Sequence, residues 1–243
     1  DWSSDVCSSD LTFGTFFSVA ISSDGKYQTA ILYYNKDGNY NNLSYVFSSN
    51  DYGVNFNYFN VVIKDTDGFT DVYLNRYLYS NAISSNGEYQ VLLQNVPTTE
   101  FSSYGKTYVI VLNKYGAFTT TTTLAFSCAN SVAISANGQY ITITQSERTT
   151  STTGYIYASS DYGKTFNQVT NNSKLWNNIA ISSSGQYQAA TAWNDKIYLS
   201  SDYGNSWTAS NSLLKQWKDI TISSCGDRKS TRLNSSHTDI SRM

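Results

Sequence analysis

The feature that most constrains this chain is an internal repeat. One motif appears as VAISSDGKYQ around Gly25, NAISSNGEYQ around Gly87, VAISANGQY around Gly138, IAISSSGQYQ around Gly185 and a shortened ITISSCG ending at Gly226. A second appears as SNDYGVNF around Gly53, SSDYGKTF around Gly163 and SSDYGNSW around Gly204, with a worn copy, LNKYGAF, around Gly116. The two alternate. From a second-motif glycine to the next first-motif glycine the distance is 22 residues at Gly116 to Gly138, Gly163 to Gly185 and Gly204 to Gly226. Such self-similarity marks one supersecondary unit stacked several times, each unit burying its apolar faces only against its neighbours.

The departures from regularity are also informative. Gly53 to Gly87 spans 34 residues, an insertion of 12 that includes or adjoins DTDGFTD. From first-motif to second-motif glycine the distance varies as 28, 29, 25 and 19 residues, so that length variation belongs in surface loops. In the last full unit the segments NNIAIS, QYQAATAW, KIYLSS and SWTAS read as four short strands, with Asn194-Asp195 as a two-residue hairpin turn. An aromatic content of 15% and a single Pro agree with strands. Four strands in each unit of roughly 40 to 50 residues predict an all-β fold, a β-propeller. About four blades of four-stranded antiparallel sheets plus the first strand of a fifth are expected over residues 12–226, a propeller fragment.

Residues 1–11 and 227–243 carry no repeat motif and resemble translated sequencing-adapter sequence; artefact or disordered tails are expected there. The only His, His237, the only Met, Met243, and Cys7 lie in these ends.

The pattern SxDxGx(T/S)(W/F) resembles the Asp-box, or bacterial neuraminidase repeat, of sialidase-like propellers. The matching residues are Ser49, Asp51, Gly53 and Phe56; Gly116 of the worn copy; Ser159, Asp161, Gly163, Thr165 and Phe166; and Ser200, Asp202, Gly204, Ser206 and Trp207. The resemblance places the motif between the third and fourth strands of a blade. Turn chemistry accounts for these residues without catalysis. Asp161 and Asp202 are expected to accept hydrogen bonds from backbone N–H groups one or two residues on. Gly163 and Gly204 take positive φ, and Phe166 and Trp207 start the next strand facing the core. The recurring tyrosines Tyr27, Tyr89, Tyr140 and Tyr187, and Tyr52, Tyr115, Tyr162 and Tyr203, read as blade packing and turn cover, with a sugar-stacking surface as the alternative. Trp176 and Trp217 precede equivalent first strands and are expected between blades.

A sialidase site, as the resemblance implies, needs three arginines, a Tyr-Glu pair and an Asp acid/base; between the two ends only Arg76 and Arg148 are present. A general glycosidase needs two carboxylates with separated pKa values. Asp71, Glu88, Glu100, Glu147, Asp195 and Asp219 form no such pattern. With no His between residues 12 and 226, Ser-His, Cys-His and His-containing zinc sites are excluded there, and Cys128 and Cys225 lack metal-ligand spacing. Asp65, Asp67 and Asp71 around Gly68 form a weak calcium candidate that departs from the EF-hand loop at Phe69 and Arg76. No catalytic residue or cofactor is assigned.

A net charge of -2 leaves no footprint for nucleic acid, and no apolar run is long enough for a membrane helix. The function expected is a non-catalytic propeller scaffold that binds a protein or glycan ligand, or assembles, through variable loops at 35–42, 64–75, 95–106 and 145–154. The alternative is a truncated carbohydrate-active enzyme, sialidase-like or another glycoside hydrolase, with its site in missing blades. Few charges and N-x-S/T triplets at Asn42 and Asn171 favour an extracellular or cell-surface location.

Overall fold

The computed structural model describes residues 14–34, 43–59, 62–64, 71–73, 78–97, 104–113, 118–124, 126, 128–146, 153–232 and 237–241. Four four-stranded antiparallel sheets follow one another along the chain as blades of a β-propeller. Blade one contains β1 (Gly14–Ile21), β2 (Gln28–Tyr34), β3 (Leu43–Ser49) and β4 (Asn57–Phe59). The insertion after it adds a separate hairpin, β5 (Val62–Lys64) with β6 (Asp71–Tyr73). Blade two contains β7 (Leu78–Ile83), β8 (Tyr89–Pro97), β9 (Tyr104–Asn113) and β10 (Phe118–Leu124). Blade three contains β11 (Ala129–Ile134), β12 (Ile141–Gln145), β13 (Ile156–Ser159) and β14 (Asn167–Gln168). Blade four contains β15 (Trp176–Ile181), β16 (Gln188–Ala192), β17 (Ile197–Ser200) and β18 (Thr208–Ala209). In the final sheet β19 (Asp219–Ile222) pairs with β20 (Arg228–Arg232), which pairs with β21 (His237–Ser241). The last two strands come from the motif-free C-terminal segment.

Strands run in sequence order across each blade, and the first strands β1, β7, β11, β15 and β19 contact one another in succession around the centre. Each first strand of blades one to four is bulged at the same place, between Phe16/Ser18, Leu78/Ser80, Ala129/Ser131 and Trp176/Asn178. A bulge re-aims the residue it skips. In blades three and four that residue is an asparagine whose amide reaches the next blade: Asn130 Nδ2 donates to the Trp176 carbonyl at 2.7 Å, and Asn177 Nδ2 to the Trp217 carbonyl at 2.7 Å.

The core lies between blades, because alternate side chains of a strand point to opposite sheet faces. In β8 and β9, Leu92, Ile110 and Leu112 join Ile31 and Val46 of blade one, whereas Val91, Leu93, Val109 and Val111 join Val132, Ile141 and Ile143 of blade three. Both faces are covered, which explains the continuous apolar run of β9. Trp176 packs with Ala133 and Ile156 across the seam between blades three and four, and Trp217 with Ala189 and Ile197 across the next.

A second seam element joins the first motifs. A Cβ placed on Gly87, Gly138, Gly185 or Gly226 would come within 2.1, 2.3, 2.4 or 2.4 Å of Cδ2 of Tyr27, Tyr89, Tyr140 or Tyr187, each belonging to the preceding blade. The tyrosine of one unit thus packs against the turn glycine of the next, with room for hydrogen alone. Backbone bonds run alongside: the N–H groups of Ser23, Ala136 and Ser183 each donate to the next blade, at the carbonyls of Ser85, Ser183 and Ser224, over 2.9 Å.

The connection between β16 and β17 differs from the two-residue turn expected at Asn194-Asp195. It spans residues 193–196, with Asn194 at φ 54° and the Trp193 N–H donating to the Leu175 carbonyl at 2.8 Å. That bond lies one residue beyond the Trp176–Ala192 pair, at the end of the β15–β16 ladder.

Gly25 and Gly185 share a left-handed backbone at φ 77° and 83°, but only Gly185 lies under a tyrosine. Gly185→Ala is expected to destabilise the chain by about 1–3 kcal/mol more than Gly25→Ala, the range of core overpacking, in urea denaturation followed by tryptophan fluorescence. Trp176→Ala, removing a side chain only 1% exposed, should cost about 3–5 kcal/mol in the same measurement.

Candidate functional site

Antiparallel order gives the blades two rims of different character. One rim carries both motifs, since the first-motif turn joins strands one and two and the second-motif turn joins strands three and four. They are tied within blades one, three and four by the N–H groups of Tyr52, Tyr162 and Tyr203, which donate to the carbonyls of Lys26, Gln139 and Gln186. The opposite rim carries the connections between strands two and three and the linkers between blades.

On the motif rim the second-motif turns are near copies. Ser49 Oγ donates to Asp51 Oδ1 at 2.7 Å and accepts the Gly53 N–H at 2.9 Å, while Asp51 accepts the Asn55 N–H at 2.9 Å and Asn55 Nδ2 at 2.7 Å. Ser159 and Asp161 repeat this with Gly163 and Thr165, and Ser200 and Asp202 with Gly204 and Ser206, at 2.6 to 3.0 Å. The aspartates therefore accept from the residue four positions on, not one or two as expected. The reason is a backbone turned left-handed at two consecutive residues, Tyr52-Gly53, Tyr162-Gly163 and Tyr203-Gly204, with φ of 62° to 84°. That curl brings the fourth N–H back to the carboxylate. The serine two positions before each aspartate, which the sequence reading left without a role, closes the turn from inside; its recurrence in three copies was the available signal.

These bonds set the carboxyl chemistry. At Asp51 the Asn55 N–H, Ser49 Oγ and the Asn55 amide hold the pKa down to about 2. At Asp161 and Asp202 partial burial opposes ionisation, but the bonds from Thr165 and Ser206 and from Ser159 and Ser200 outweigh it and leave both pKa values lowered. Such carboxylates are occupied by their own turns and are poor general acids at neutral pH.

Phe166 and Trp207 are half-buried against the seams with the preceding blades, the Trp207 indole N–H donating to the Gly204 carbonyl at 3.0 Å. Phe56 differs: it is 46% exposed, and among the described residues no blade packs against its face of blade one. Gly116, with Lys114 and Tyr115, lies outside the described residues. So do Asp65, Asp67, Arg76, Glu100, Arg148, Glu147, Asn42 and Tyr115, and Asp71 is placed only as backbone in β6 opposite Lys64. Among the described residues no group of three or more His, Cys, Asp and Glu is gathered as a metal could require. The tyrosines of the two motifs meet across seams, Tyr89 with Tyr162 at 5.2 Å and Tyr140 with Tyr203 at 4.7 Å between ring centres.

The opposite rim holds a charged cluster that sequence reasoning did not assemble. Lys174, in the linker before blade four, bonds Asp195 Oδ2 at 2.7 Å and lies 4.8 Å over the Tyr198 ring; the Tyr198 hydroxyl donates to Asp195 Oδ1 at 3.2 Å. Tyr198 in turn packs edge-on to Trp176 at 5.1 Å. Burial works against both charges, but their mutual bond raises the lysine pKa and lowers the aspartate's. Residues 21 positions apart gave no local signal. The same rim receives the ends of the loops at 35–42, 95–106 and 145–154; of the expected recognition loops, residues 35–42, 65–70, 74–75, 98–103 and 147–152 lie outside the described residues. Asn171 is exposed, and Cys128 is buried at φ 68°.

With this geometry in view, the chain is a β-propeller. It is similar to the crystal structure of the β-propeller domain of Cps50 (Swd1) from Myceliophteria thermophila, with a TM-score of 0.58 and 11% identity over 94% of this chain and 84% of that one. At that identity the likeness is one of fold. No family model and no curated protein matches the chain. Among the described residues no helix is long and apolar enough to cross a membrane.

Because the turn aspartates have lowered pKa values when folded, they add stability above the unfolded value near 3.8 and lose it as pH falls from there through their lowered folded values. Asp161→Asn combined with Asp202→Asn should therefore flatten the fall of Tm as pH drops below the unfolded carboxyl value near 3.8, measured by thermal circular dichroism against the unsubstituted chain. Lys174→Met, breaking a pair whose side chains are 23% and 24% exposed, should cost no more than about 1 kcal/mol.

Proposed function

We propose that this chain is a non-catalytic propeller scaffold of the Asp-box type, which binds a protein or glycan ligand through the rim opposite its motif turns. The observation that carries this reading is the contrast between the rims. Three second-motif turns share one hydrogen-bond pattern to within a few tenths of an ångström. The strand-two to strand-three connections, by contrast, run over residues 35–42, 98–103, 146–155 and 193–196. A rigid rim that holds blades and a variable rim that differs from blade to blade is how a repeat fold separates stability from recognition. The Asp-box reading is supported by turn chemistry, with Asp51, Asp161 and Asp202 held by Ser49, Ser159 and Ser200 between strands three and four. Carboxylates so engaged support a structural role for the motif over a catalytic one.

The test is to replace residues 35–42, and separately 146–155, by the short Trp193–Lys196 connection and to compare binding on glycan and protein arrays. A ligand of the parent chain should lose at least about tenfold in affinity with one swap while the circular dichroism spectrum is kept. Release of sugar from sialosides or polysaccharides by the parent chain would instead favour the carbohydrate-active reading.

A further inference from the structure

The first-motif turns share a shape but differ in charge. Just before the turn glycine stand Asp24, Asn86, Asn137, Ser184 and Cys225. In blade one Asp24 Oδ1 accepts Ser22 Oγ at 2.6 Å and the Lys26 N–H at 3.0 Å. Asn86 Oδ1 accepts Ser84 Oγ at 2.7 Å and the Glu88 N–H at 3.1 Å, and Asn137 Oδ1 accepts Ser135 Oγ at 2.8 Å and the Gln139 N–H at 3.1 Å. The residue after the glycine suits each of these groups. Ser22 Oγ and the Lys26 N–H hold the Asp24 carboxyl below the usual carboxylate range, and the Lys26 charge adds to them. The amide nitrogen of Asn86 donates instead to Glu88 Oε2 at 3.0 Å, and that of Asn137 to Gln139 Oε1 at 3.5 Å.

Asn86-Gly87 and Asn137-Gly138 pair a side-chain amide with a glycine nitrogen, and glycine has no Cβ to hinder ring closure between them. Once a base removes the glycine amide proton, the nitrogen bonds to the asparagine Cγ. The Cγ–Nδ2 bond then breaks, and Nδ2 takes up a proton and leaves as ammonia. Water opens the resulting five-membered imide at one of its two carbonyls, giving aspartate or isoaspartate. Attack requires the reacting atoms in contact and aligned. The folded turn denies that geometry, because the Gly87 and Gly138 N–H groups donate to the Ser84 and Ser135 carbonyls at 2.9 and 3.0 Å. Neither glycine can swing away from its carbonyl, since Tyr27 and Tyr89 of the preceding blades fill the space beside Gly87 and Gly138.

We propose that Asn86 and Asn137 are spontaneous deamidation sites gated by the blade seams, converted when the preceding blade's tyrosine lifts off, with unequal consequences at the two positions. Aspartate at 137 faces the neutral Gln139, whose amide can turn to donate, so the turn closes as Asp24 closes it in blade one. Aspartate at 86 loses the bond to Glu88 and sets two carboxylates where an amide and a carboxylate stood. Their repulsion opposes the turn that receives Tyr27, so conversion at 86 loosens the seam between blades one and two.

In the experiment the full chain is incubated at mildly alkaline pH, natively and in denaturing urea, and conversion at each asparagine is followed by peptide mass spectrometry. Both should convert at least about tenfold more slowly in the native chain. Tyr27→Ala should speed native conversion of Asn86 by about threefold or more and leave Asn137 unchanged, and Tyr27→Phe should keep the slow rate. At neutral pH Asn86→Asp should lower Tm by about 2 °C or more relative to Asn137→Asp, and Glu88→Gln should remove the difference. Native rates equal to the denatured ones overturn the proposal. So does equal acceleration of both asparagines by Tyr27→Ala in a chain that stays folded by circular dichroism, which would show global instead of seam opening. Equal Tm values for the two aspartate variants overturn it as well. If Tyr27→Ala does not fold, the native-to-denatured ratio and the two aspartate variants still decide.

Discussion

The structure depends on one contact repeated four times, a tyrosine ring lying on the turn glycine of the next blade. The glycine is needed twice over: its backbone is left-handed, which side chains resist, and its missing Cβ is the space the ring fills. Because the tyrosine stands two residues after its own glycine, each motif is both a receptor for the blade before and a cover for the blade after. The arrangement transmits position from blade to blade, and the apolar layers between sheets, from Ile31 with Leu92 to Ala189 with Trp217, then close on a spacing already set by the motif rim.

Polar bonds along the seam add direction to what burial alone would leave loose. Hydrophobic packing between two sheets tolerates sliding, since it scales with area rather than geometry. The backbone bonds between first-motif turns, the threonine-to-glutamine bonds and the bulge asparagines each have one register in which both partners are satisfied. Leaving such groups unpaired in a buried seam is costly, so a slipped register is penalised at several points at once. With the motif rim locked in this way, loop length on the opposite rim is free to vary.

Much of this was legible from the repeat. Strand order, four-stranded blades and the seam positions of Trp176 and Trp217 follow from spacing, because a unit of this length has few ways to bury two faces of every strand. The turn chemistry was legible only in part. The left-handed glycines could be read, but the matching conformation of Tyr52, Tyr162 and Tyr203 could not, since tyrosine rarely adopts it unless hydrogen bonds on both sides enforce it. The reach of each aspartate to the fourth residue follows from that unforeseen curl. Phe56 matches Phe166 and Trp207 in sequence and is more exposed than they are because, among the described residues, no blade lies beside it.

By itself, then, the sequence determined the unit: its four strands, its turn glycines and the alternation that makes both faces of a strand apolar. These are local properties, set by steric limits on φ and by the two-residue period of a strand. Tertiary structure decided what the local code does not contain. It placed Tyr140 on Gly185, gathered Lys174, Asp195 and Tyr198 from separate connections, and left Phe16 and Val19 bare where their equivalents are covered. Identical motifs acquire different environments according to what stands next to them, and adjacency in space is a property of the assembled blades, not of any one stretch of chain.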